Sequence, residues 1–262
     1  MAQPRRVIVT RPQDEAMAWV QGLRAEGVVA DALPLLAISP LADLAPARQQ
    51  WQACAEGAAL QALMFVSANA VRHFPFHAAA LAQAGLRAWG TGPGTSAALR
   101  AAGWPEARID QPAPDSPHWD SEALWQQVAT TASARAGQGV LIVRGTDERG
   151  QLAGRDWLAD QVLAAGLPLW QMAVYQRGPA PLDEAARALA EAALAAGDAW
   201  LFSSSEAARH LHAAWPGLDL GRSLALATHP RIAQRLRALG WPRVHEVPAT
   251  LQAQAQSLKL LA

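Results

Sequence analysis

The feature that most constrains the fold of this chain is an internal repeat with an offset of 137 residues. The segment AWGTGPGTSAALRAAGW, from Ala88, aligns with ALATHPRIAQRLRALGW, from Ala225. The same offset aligns FVSANAVRHF, from Phe65, with FSSSEAARHL, from Phe202. Shared helix composition would not place two separated segments in one register. The repeat therefore predicts two related domains.

Each half alternates short apolar runs with longer Ala- and Leu-rich segments, which favours an α/β fold with mainly parallel strands flanked by helices. The predicted strands lack polar alternation, as is typical of strands that are covered on both faces. They span residues 7–10, 63–66, 140–143, 172–175, 199–202 and 224–227. The predicted helices span residues 14–26, 70–84, 95–102, 121–134, 152–165, 183–196, 206–214 and 231–239.

Composition limits the classes of partner. The 22 Lys and Arg residues balance 22 Asp and Glu residues, so the chain lacks the charge of a protein that binds duplex nucleic acid or an anionic membrane. The sole cysteine, Cys54, cannot form an intramolecular disulfide, and no Cys/His cluster has zinc-site spacing. No apolar stretch approaches the roughly 18 residues of a membrane span, and none resembles a secretory signal. We expect a cytoplasmic protein with no metal, no cofactor, no nucleic-acid partner and no membrane partner.

Small, hydroxyl-bearing or glycine residues follow nearly every predicted strand. In parallel sheets these turns lie at the carboxyl ends of the strands, where ligands bind and helix N-termini offer free N–H groups to anions. The turns are VTRP (9–12), VSANA (66–70), GTGPGTS (90–96), VRGTDERG (143–150), FSSSEA (202–207) and ATHPRIA (227–233). Four arginines that could bind carboxylates lie at the same junctions: Arg11, Arg144, Arg149 and Arg231. The pattern favours an oxyanion ligand, although Thr95, Ser121 and Ser205 could instead be simple helix caps.

Other catalytic patterns are absent or incomplete. GTGPGT lacks the third glycine of a dinucleotide fingerprint, and no Walker lysine follows a glycine-rich turn. FVSANA and FSSSEA do not match the G-x-S-x-G elbow of a hydrolase. His73 and His210 occupy equivalent positions of the repeat, inside predicted helices. We interpret them as surface or packing residues rather than metal ligands.

The order and spacing of several segments resemble the uroporphyrinogen-III synthase family from Val7 to about Ala249. These segments are VIVTRP, GVVADALPLLAISP, MFVSANAV, GTGPGTSAALRAAG, DSEAL, VLIVRGTDERGQLAGRDWLADQVLAAG, MAVYQRG, WLFSSSEAARHL and THPRIAQRLRALG. The resemblance implies two α/β domains that are joined by a two-stranded connection, with the active site in the cleft between them. One domain would be residues 1–37 plus 176–262, and the other residues 38–175. We expect a monomer.

The activity that this resemblance implies is the conversion of hydroxymethylbilane, a linear tetrapyrrole with eight carboxylates, into uroporphyrinogen III. The reaction removes water, closes the ring and inverts the last pyrrole ring, ring D, without a cofactor or metal. Two alternatives remain open at this stage. One is a non-catalytic two-domain α/β protein that binds a small polyanionic ligand, and the other is a regulatory module descended from the enzyme.

The resemblance also implies site residues. Tyr175, the only tyrosine in the chain, matches the residue proposed to protonate the departing hydroxyl, and a phenol with a reference pKa near 10 carries its proton at neutral pH. Some members have a basic residue where this chain has Asn69. Some members also have two consecutive threonines where this chain has Arg231 and Ile232, so Thr228 or Arg231 would replace those threonines as hydrogen-bond donors. The candidate substrate-binding residues are Arg11, Ser67, Asn69, Thr95, Arg144, Gly145, Arg149, Ser203, Ser204, Thr228 and Arg231.

Overall fold

The computed structural model describes residues 6–57, 60–116, 118–135 and 137–261. The strands in chain order are β1 (Val7–Val9), β2 (Ala30–Ala32), β3 (Leu36–Pro40), β4 (Leu60–Phe65), β5 (Arg87–Gly90), β6 (Ile109–Asp110), β7 (Gly139–Thr146), β8 (Leu169–Pro179), β9 (Ala199–Phe202), β10 (Leu224–Ala227) and β11 (Val244–Glu246). The helices are α1 (Gln13–Ala25), α2 (Ala45–Gly57), α3 (Ala68–Arg72), α4 (Ala78–Gln83), α5 (Pro93–Ala101), α6 (Ser121–Ser133), α7 (Trp157–Ala164), α8 (Glu184–Ala196), α9 (Ser205–Ala214), α10 (Pro230–Ala238) and α11 (Leu251–Leu261).

The chain divides into two compact units, each with its own mainly parallel sheet. The first unit contains Met1–Ala37 and Gly178–Ala262, and the second contains Ile38–Arg177. The strand order is β11-β10-β9-β1-β2 in the first sheet and β3-β8-β7-β4-β5-β6 in the second. Helices cover these sheets, which confirms the predicted α/β class. Within the described ranges, no helix is both long and apolar enough to cross a membrane.

Each sheet buries both of its faces, which explains the continuous apolar strands. In the first unit, Ile8 and Trp200 face a core layer formed with α8, α9 and α10, whereas Val7 and Val9 face α1 and α11 on the other side. The second unit repeats this arrangement with α2 to α5 on one face and α6 and α7 on the other. Because successive residues of a strand point to opposite faces, two covered faces require apolar residues at every position.

The internal repeat is also a structural repeat. The bounds of β5 and β10, and those of α5 and α10, differ by the offset found in the sequence. The order β6-β5-β4-β7-β8 in the second sheet matches β11-β10-β9-β1-β2 in the first, so β7 takes the place in the second unit that β1 takes in the first. The N-terminal strand of the chain therefore completes the C-terminal half of the repeat.

Two predicted helices differ from the structure. The helix predicted over 70–84 is two helices, α3 and α4, separated by a segment that contains Pro75, a residue that lacks the amide proton a continuous helix would need. The helix predicted over 152–165 begins at Trp157, because Leu152 pairs with Thr146 in a β-bridge and Gly154 has a φ of +106°.

The N-caps of three helices lie before the residues that the sequence suggested as caps. Asp120 and Ser204 cap α6 and α9, and their side chains accept hydrogen bonds from Ala123 and Glu206 N–H groups. Ser121 and Ser205 are the first residues inside these helices, and α5 is capped by Gly92 rather than by Thr95. The cap alternative therefore does not hold for Thr95, Ser121 or Ser205, although it holds for the neighbouring Ser204.

The glycines after α1 and α8 provide a matched test of packing. Gly27 and Gly197 have φ values of +79° and +72°, but a Cβ at Gly27 would meet open space, whereas a Cβ at Gly197 would lie 2.9 Å from the Arg222 carbonyl oxygen. We expect Gly27→Ala to lower the free energy of unfolding by about 1 kcal/mol through left-handed strain alone. Gly197→Ala should cost at least about 1 kcal/mol more, since backbone must also move. Urea denaturation measures both, and equal losses would contradict the close approach to Arg222.

Candidate active site

A β-bulge in β8 determines where the single tyrosine points. Arg144 of β7 lies opposite Ala173, but the next residue, Gly145, lies opposite Tyr175, so Val174 is an extra residue in the ladder. Without the bulge, Val174 and Tyr175 would face opposite sides of the sheet. With it, both belong to the core layer on the α3 side. The bulge therefore turns the phenol toward α3.

Gly145 makes room for the phenol ring. A Cβ at position 145 would lie 2.5 Å from Cε2 and 2.6 Å from Cζ of Tyr175. These separations are shorter than any van der Waals contact, so the ring can occupy this place only because residue 145 has no side chain. Gly145 was predicted to bind substrate; the structure shows its contact with Tyr175, and the substrate contact stays a prediction.

The phenol hydroxyl reaches across β7 to the serine that follows β4. Tyr175 Oη lies 3.2 Å from Ser67 Oγ, and either atom could donate the hydrogen bond. Ser67 is also the N-cap of α3, because its Oγ accepts a hydrogen bond from the Ala70 N–H at 3.2 Å. The structure therefore brings together two residues, Tyr175 and Ser67, that the sequence analysis singled out separately.

His73 lies over the same phenol, a contact that the sequence analysis missed. Its ring centroid is 5.9 Å from that of Tyr175, with 29° between the ring planes. Burial, and to a smaller extent the nearby charge of Arg72, lowers the pKa of His73 below its usual 6.5, which favours the neutral imidazole at pH 7. Its counterpart in the repeat, His210, is buried and hydrogen-bonds through Nδ1 to the Leu35 carbonyl oxygen at 2.8 Å. Both histidines therefore pack against chain segments near the crossovers between the units.

Arg144 was predicted to bind a substrate carboxylate, but protein acceptors surround its guanidinium. The residue is 1% exposed. Nε donates to the Ala153 carbonyl oxygen at 3.0 Å, and Nη2 to that of Arg155 at 3.3 Å. Nη1 donates to Asp156 Oδ1 at 2.6 Å and to Gln171 Oε1 at 2.5 Å. Arg144 thus ties the loop after β7 to β8, and this structural role replaces the predicted one.

The other candidates of the second unit lie near the same carboxyl edge. Asn69 is partly exposed and accepts a hydrogen bond from Arg72 Nη1 at 3.0 Å. Thr95 is 5% exposed, inside the first turn of α5, where its methyl group would contact a Cβ at Gly90. Arg149 is exposed in the turn after β7, where its N–H donates to Asp147 Oδ1 at 2.9 Å.

The candidates of the first unit follow β1, β9 and β10. Ser203 and Ser204 are partly exposed at the start of α9. Thr228 is also partly exposed, and its N–H donates to the Phe202 carbonyl oxygen at 3.1 Å. Arg231 is exposed in the first turn of α10, whose N-cap is His229.

Arg11 lies after β1, and its guanidinium packs against residues of the first unit. Its guanidinium carbon lies 3.9 Å above the ring of Trp19, and Nη1 is 3.6 Å from Glu15 Oε2. Burial lowers the pKa of Arg11, while the Glu15 carboxylate acts in the opposite direction. These contacts give Arg11 a packing role, and its contact with a substrate carboxylate stays a prediction. Elsewhere in the described chain, no three His, Cys, Asp or Glu side chains come close enough together to hold a metal ion.

Arg144 in β7 and Arg149 in the turn that follows it allow a buried and an exposed arginine to be compared. Arg144→Ala removes a buried side chain together with its hydrogen bonds, so we expect the free energy of unfolding to fall by about 3 kcal/mol. Arg149→Ala removes an exposed side chain and should change it by less than about 0.5 kcal/mol. Chemical denaturation compares the two variants. Similar losses would contradict the buried network of Arg144.

Gly145→Ala tests the close packing beneath the phenol. The new methyl group must displace the ring, so we expect a loss of about 1 to 3 kcal/mol in stability and a shifted ¹³Cζ NMR signal of the single tyrosine. Gly94→Ala is the control, because a Cβ at Gly94 meets no atom within 4 Å. An unchanged tyrosine signal in Gly145→Ala would show that the ring does not lie against this backbone.

Comparison with known proteins places the chain in a family. A family model described as uroporphyrinogen-III synthase HemD matches residues 17–253. The fold is similar to that of a mutant uroporphyrinogen III synthase from Thermus thermophilus, with a TM-score of 0.57, 19% identity and coverage of 98% of each chain. It is also similar to uroporphyrinogen-III synthetase from Helicobacter pylori, with a TM-score of 0.59, 15% identity and coverage of 98% of this chain and 99% of that one. At these identities the two structures bear on the fold alone, whereas the family model matches most of the sequence. The chain belongs to the uroporphyrinogen-III synthase family.

Proposed function

We propose that this chain converts hydroxymethylbilane into uroporphyrinogen III with Tyr175 as the general acid. Family membership supports an enzyme of tetrapyrrole biosynthesis over the non-catalytic polyanion-binding protein that the sequence also allowed. The observation that carries the residue assignment is the placement of the single phenol by the β8 bulge, at the carboxyl edge of its sheet and in contact with Ser67. Ligands of parallel sheets bind at this edge.

The chemistry begins with loss of the terminal hydroxyl of the substrate. Proton donation to this oxygen lets the C–O bond break with its electron pair on oxygen, which leaves as water, while the electron-rich pyrrole stabilises the cation that remains. General acid catalysis contributes about 10² to 10⁴-fold, and a pyrrole that expels hydroxide readily needs the lower part of this range. The remaining acceleration must come from positioning.

Positioning also decides which product forms. The substrate cyclises spontaneously without inversion, so the protein must favour attack through the substituted carbon of the terminal ring. This attack gives a spiro intermediate that fragments and closes again. Holding a flexible tetrapyrrole in a curled shape makes the disfavoured approach a near-attack geometry. The carboxylates of the substrate are the natural handles for this purpose.

We propose that exposed donors at the carboxyl edges of both sheets bind these carboxylates. The helices α5, α9 and α10 each begin there, and helix N-termini present unpaired N–H groups and partial positive charge. The proposed side-chain donors to the carboxylates are Asn69, Arg149, Ser203, Ser204, Thr228 and Arg231, whereas Ser67 meets the substrate beside Tyr175. Thr95 contributes at most its backbone N–H, because its side chain is buried. An electroneutral protein can thereby bind a polyacid through local dipoles and a few cations.

We also propose that the protein acts as a monomer in the cytoplasm. The reason for the compartment is that of the sequence: a single cysteine, Cys54, which cannot form an intramolecular disulfide.

The decisive assay measures which uroporphyrinogen isomer forms from freshly generated hydroxymethylbilane. We expect the wild-type protein to give the inverted isomer, and Tyr175→Phe to lower kcat by up to about a hundredfold with little change in KM, because only the acidic hydroxyl is lost. Arg149→Ala should instead raise KM severalfold, since an exposed cation that binds ground state and transition state alike is removed.

Circular dichroism of each variant controls for folding. If the wild-type protein leaves the ratio of inverted to non-inverted isomer at its spontaneous value, the enzymatic function is refuted. Wild-type turnover in Tyr175→Phe would reduce Tyr175 to a packing residue.

A further inference from the structure

The burial of Tyr175 differs from that of its hydrogen-bond partner. Tyr175 is 3% exposed and lies in the core layer with Met172 and Val174. Ser67 is only partly buried, at the turn that follows β4. The two hydroxyl oxygens are 3.2 Å apart. Of the two groups, the serine hydroxyl is the one more accessible to a ligand at the edge of the sheet.

The hydrogen bonds of Ser67 leave one proton for a ligand. A serine hydroxyl can accept two hydrogen bonds and donate one. Ser67 Oγ accepts one from the Ala70 N–H, and its second acceptor position is suited to the phenol proton of Tyr175. In this arrangement both acceptor positions are filled from within the protein. The serine proton is then the one that points outward.

We propose that Ser67 is a second catalytic residue, which passes a proton from Tyr175 to the substrate. This inference rests on the proposed function. The Ser67 proton moves to the departing hydroxyl oxygen, the C–O bond breaks toward that oxygen, and water leaves. In the same step the Tyr175 proton moves to Ser67 Oγ, so the serine is neutral again and the phenolate holds the negative charge. The later ring closure releases one proton from the attacking pyrrole carbon, and this proton restores Tyr175 through Ser67.

The internal repeat contains a natural comparison for this pair. Ser204 is the counterpart of Ser67, and its Oγ likewise accepts a hydrogen bond from a backbone N–H, that of Glu206 at 3.1 Å. The first unit has no tyrosine to meet this serine, because the single tyrosine of the chain lies in the second unit. The cap is therefore common to both units, whereas the phenol partner belongs to the second unit only. Loss of the cap can thus be separated from loss of the relay.

His73 supports the relay by restraining the ring. It follows α3 directly, and its imidazole lies over the phenol with centroids 5.9 Å apart. Ser67 at the start of α3 and His73 at its end therefore contact the same side chain. A ring that is held between this helix and the Gly145 backbone keeps its hydroxyl directed at Ser67.

The test is a double-mutant cycle on kcat for the inverted isomer. If Ser67 and Tyr175 act in one proton path, Ser67→Ala and Tyr175→Phe should lower kcat to a similar extent, and the double variant should be no more than about twofold slower than the slower single variant. Ser67→Thr keeps the hydroxyl and the helix cap, so it should retain kcat within about threefold of the wild-type value. Ser204→Ala removes the equivalent cap and a proposed carboxylate donor in the other unit, so its effect on kcat should be independent of Tyr175→Phe and multiply with it.

A spectroscopic measurement shows the contact without relying on activity. The chain has one tyrosine, so ¹³Cζ-labelled tyrosine gives a single NMR signal. We expect this signal to move in Ser67→Ala, to return toward its wild-type position in Ser67→Thr, and to be unaffected by Ser204→Ala. An unmoved signal in a folded Ser67→Ala protein would overturn the relay.

The kinetic outcomes distinguish the relay from the function on which it rests. Wild-type turnover in Tyr175→Phe would remove the general acid itself, and with it the proposed function of that residue. A slow Tyr175→Phe variant with a nearly wild-type Ser67→Ala variant would overturn the relay alone. Losses that multiply in the Ser67/Tyr175 double variant would do the same, because independent effects are additive in free energy.

Discussion

The bulge that sets Val174 apart from the ladder of β7 and β8 is the constraint on which the candidate site depends. A shift of one residue in a strand moves a side chain to the other face of the sheet. Here the shift directs the phenol of Tyr175 to the side of α3, where Ser67 and His73 lie. The ring then needs space above the neighbouring strand, and Gly145 provides it. A side chain at 145 or a regular ladder at 174 would each separate the phenol from Ser67.

Arg144 shows how the same strand pair is stabilised. Arg144 and Gly145 are adjacent on β7 and have opposite requirements, because Arg144 fills its surroundings with a guanidinium and Gly145 must leave its surroundings empty. The guanidinium bonds to Gln171 of β8 and to the segment that ends at Asp156. A buried arginine with this many acceptors is costly to disturb, since each acceptor would lose its partner. We therefore regard Arg144 as a residue that fixes the strands around the site.

The internal repeat has been retained in backbone and altered in chemistry. Both units keep a capping serine, Ser67 or Ser204, and a histidine six residues later that packs near a crossover segment. Only in the second unit does this pair contact a phenol. The repeat thus has two similar sets of turns at the carboxyl edges of two sheets. Only the set in the second unit has a phenol, that of Tyr175, beside its capping serine.

The sequence by itself determined the α/β class, the repeat, and most helices and strands, because apolar runs and helix ends report local conformation and burial. It missed β2, β3, β5, β6, β11, α2 and α11, and it joined α3 to α4 across Pro75, since very short strands and loosely patterned helices carry weak periodic signals. It also singled out Tyr175 and Ser67, through the family resemblance. Only the tertiary structure decided that these two hydroxyls meet, that Gly145 lies under the phenol, and that Arg144 is buried among protein acceptors. Each of these depends on strand register and on contacts between residues far apart in the chain, such as Arg144 with Gln171, and no local pattern in the sequence encodes them.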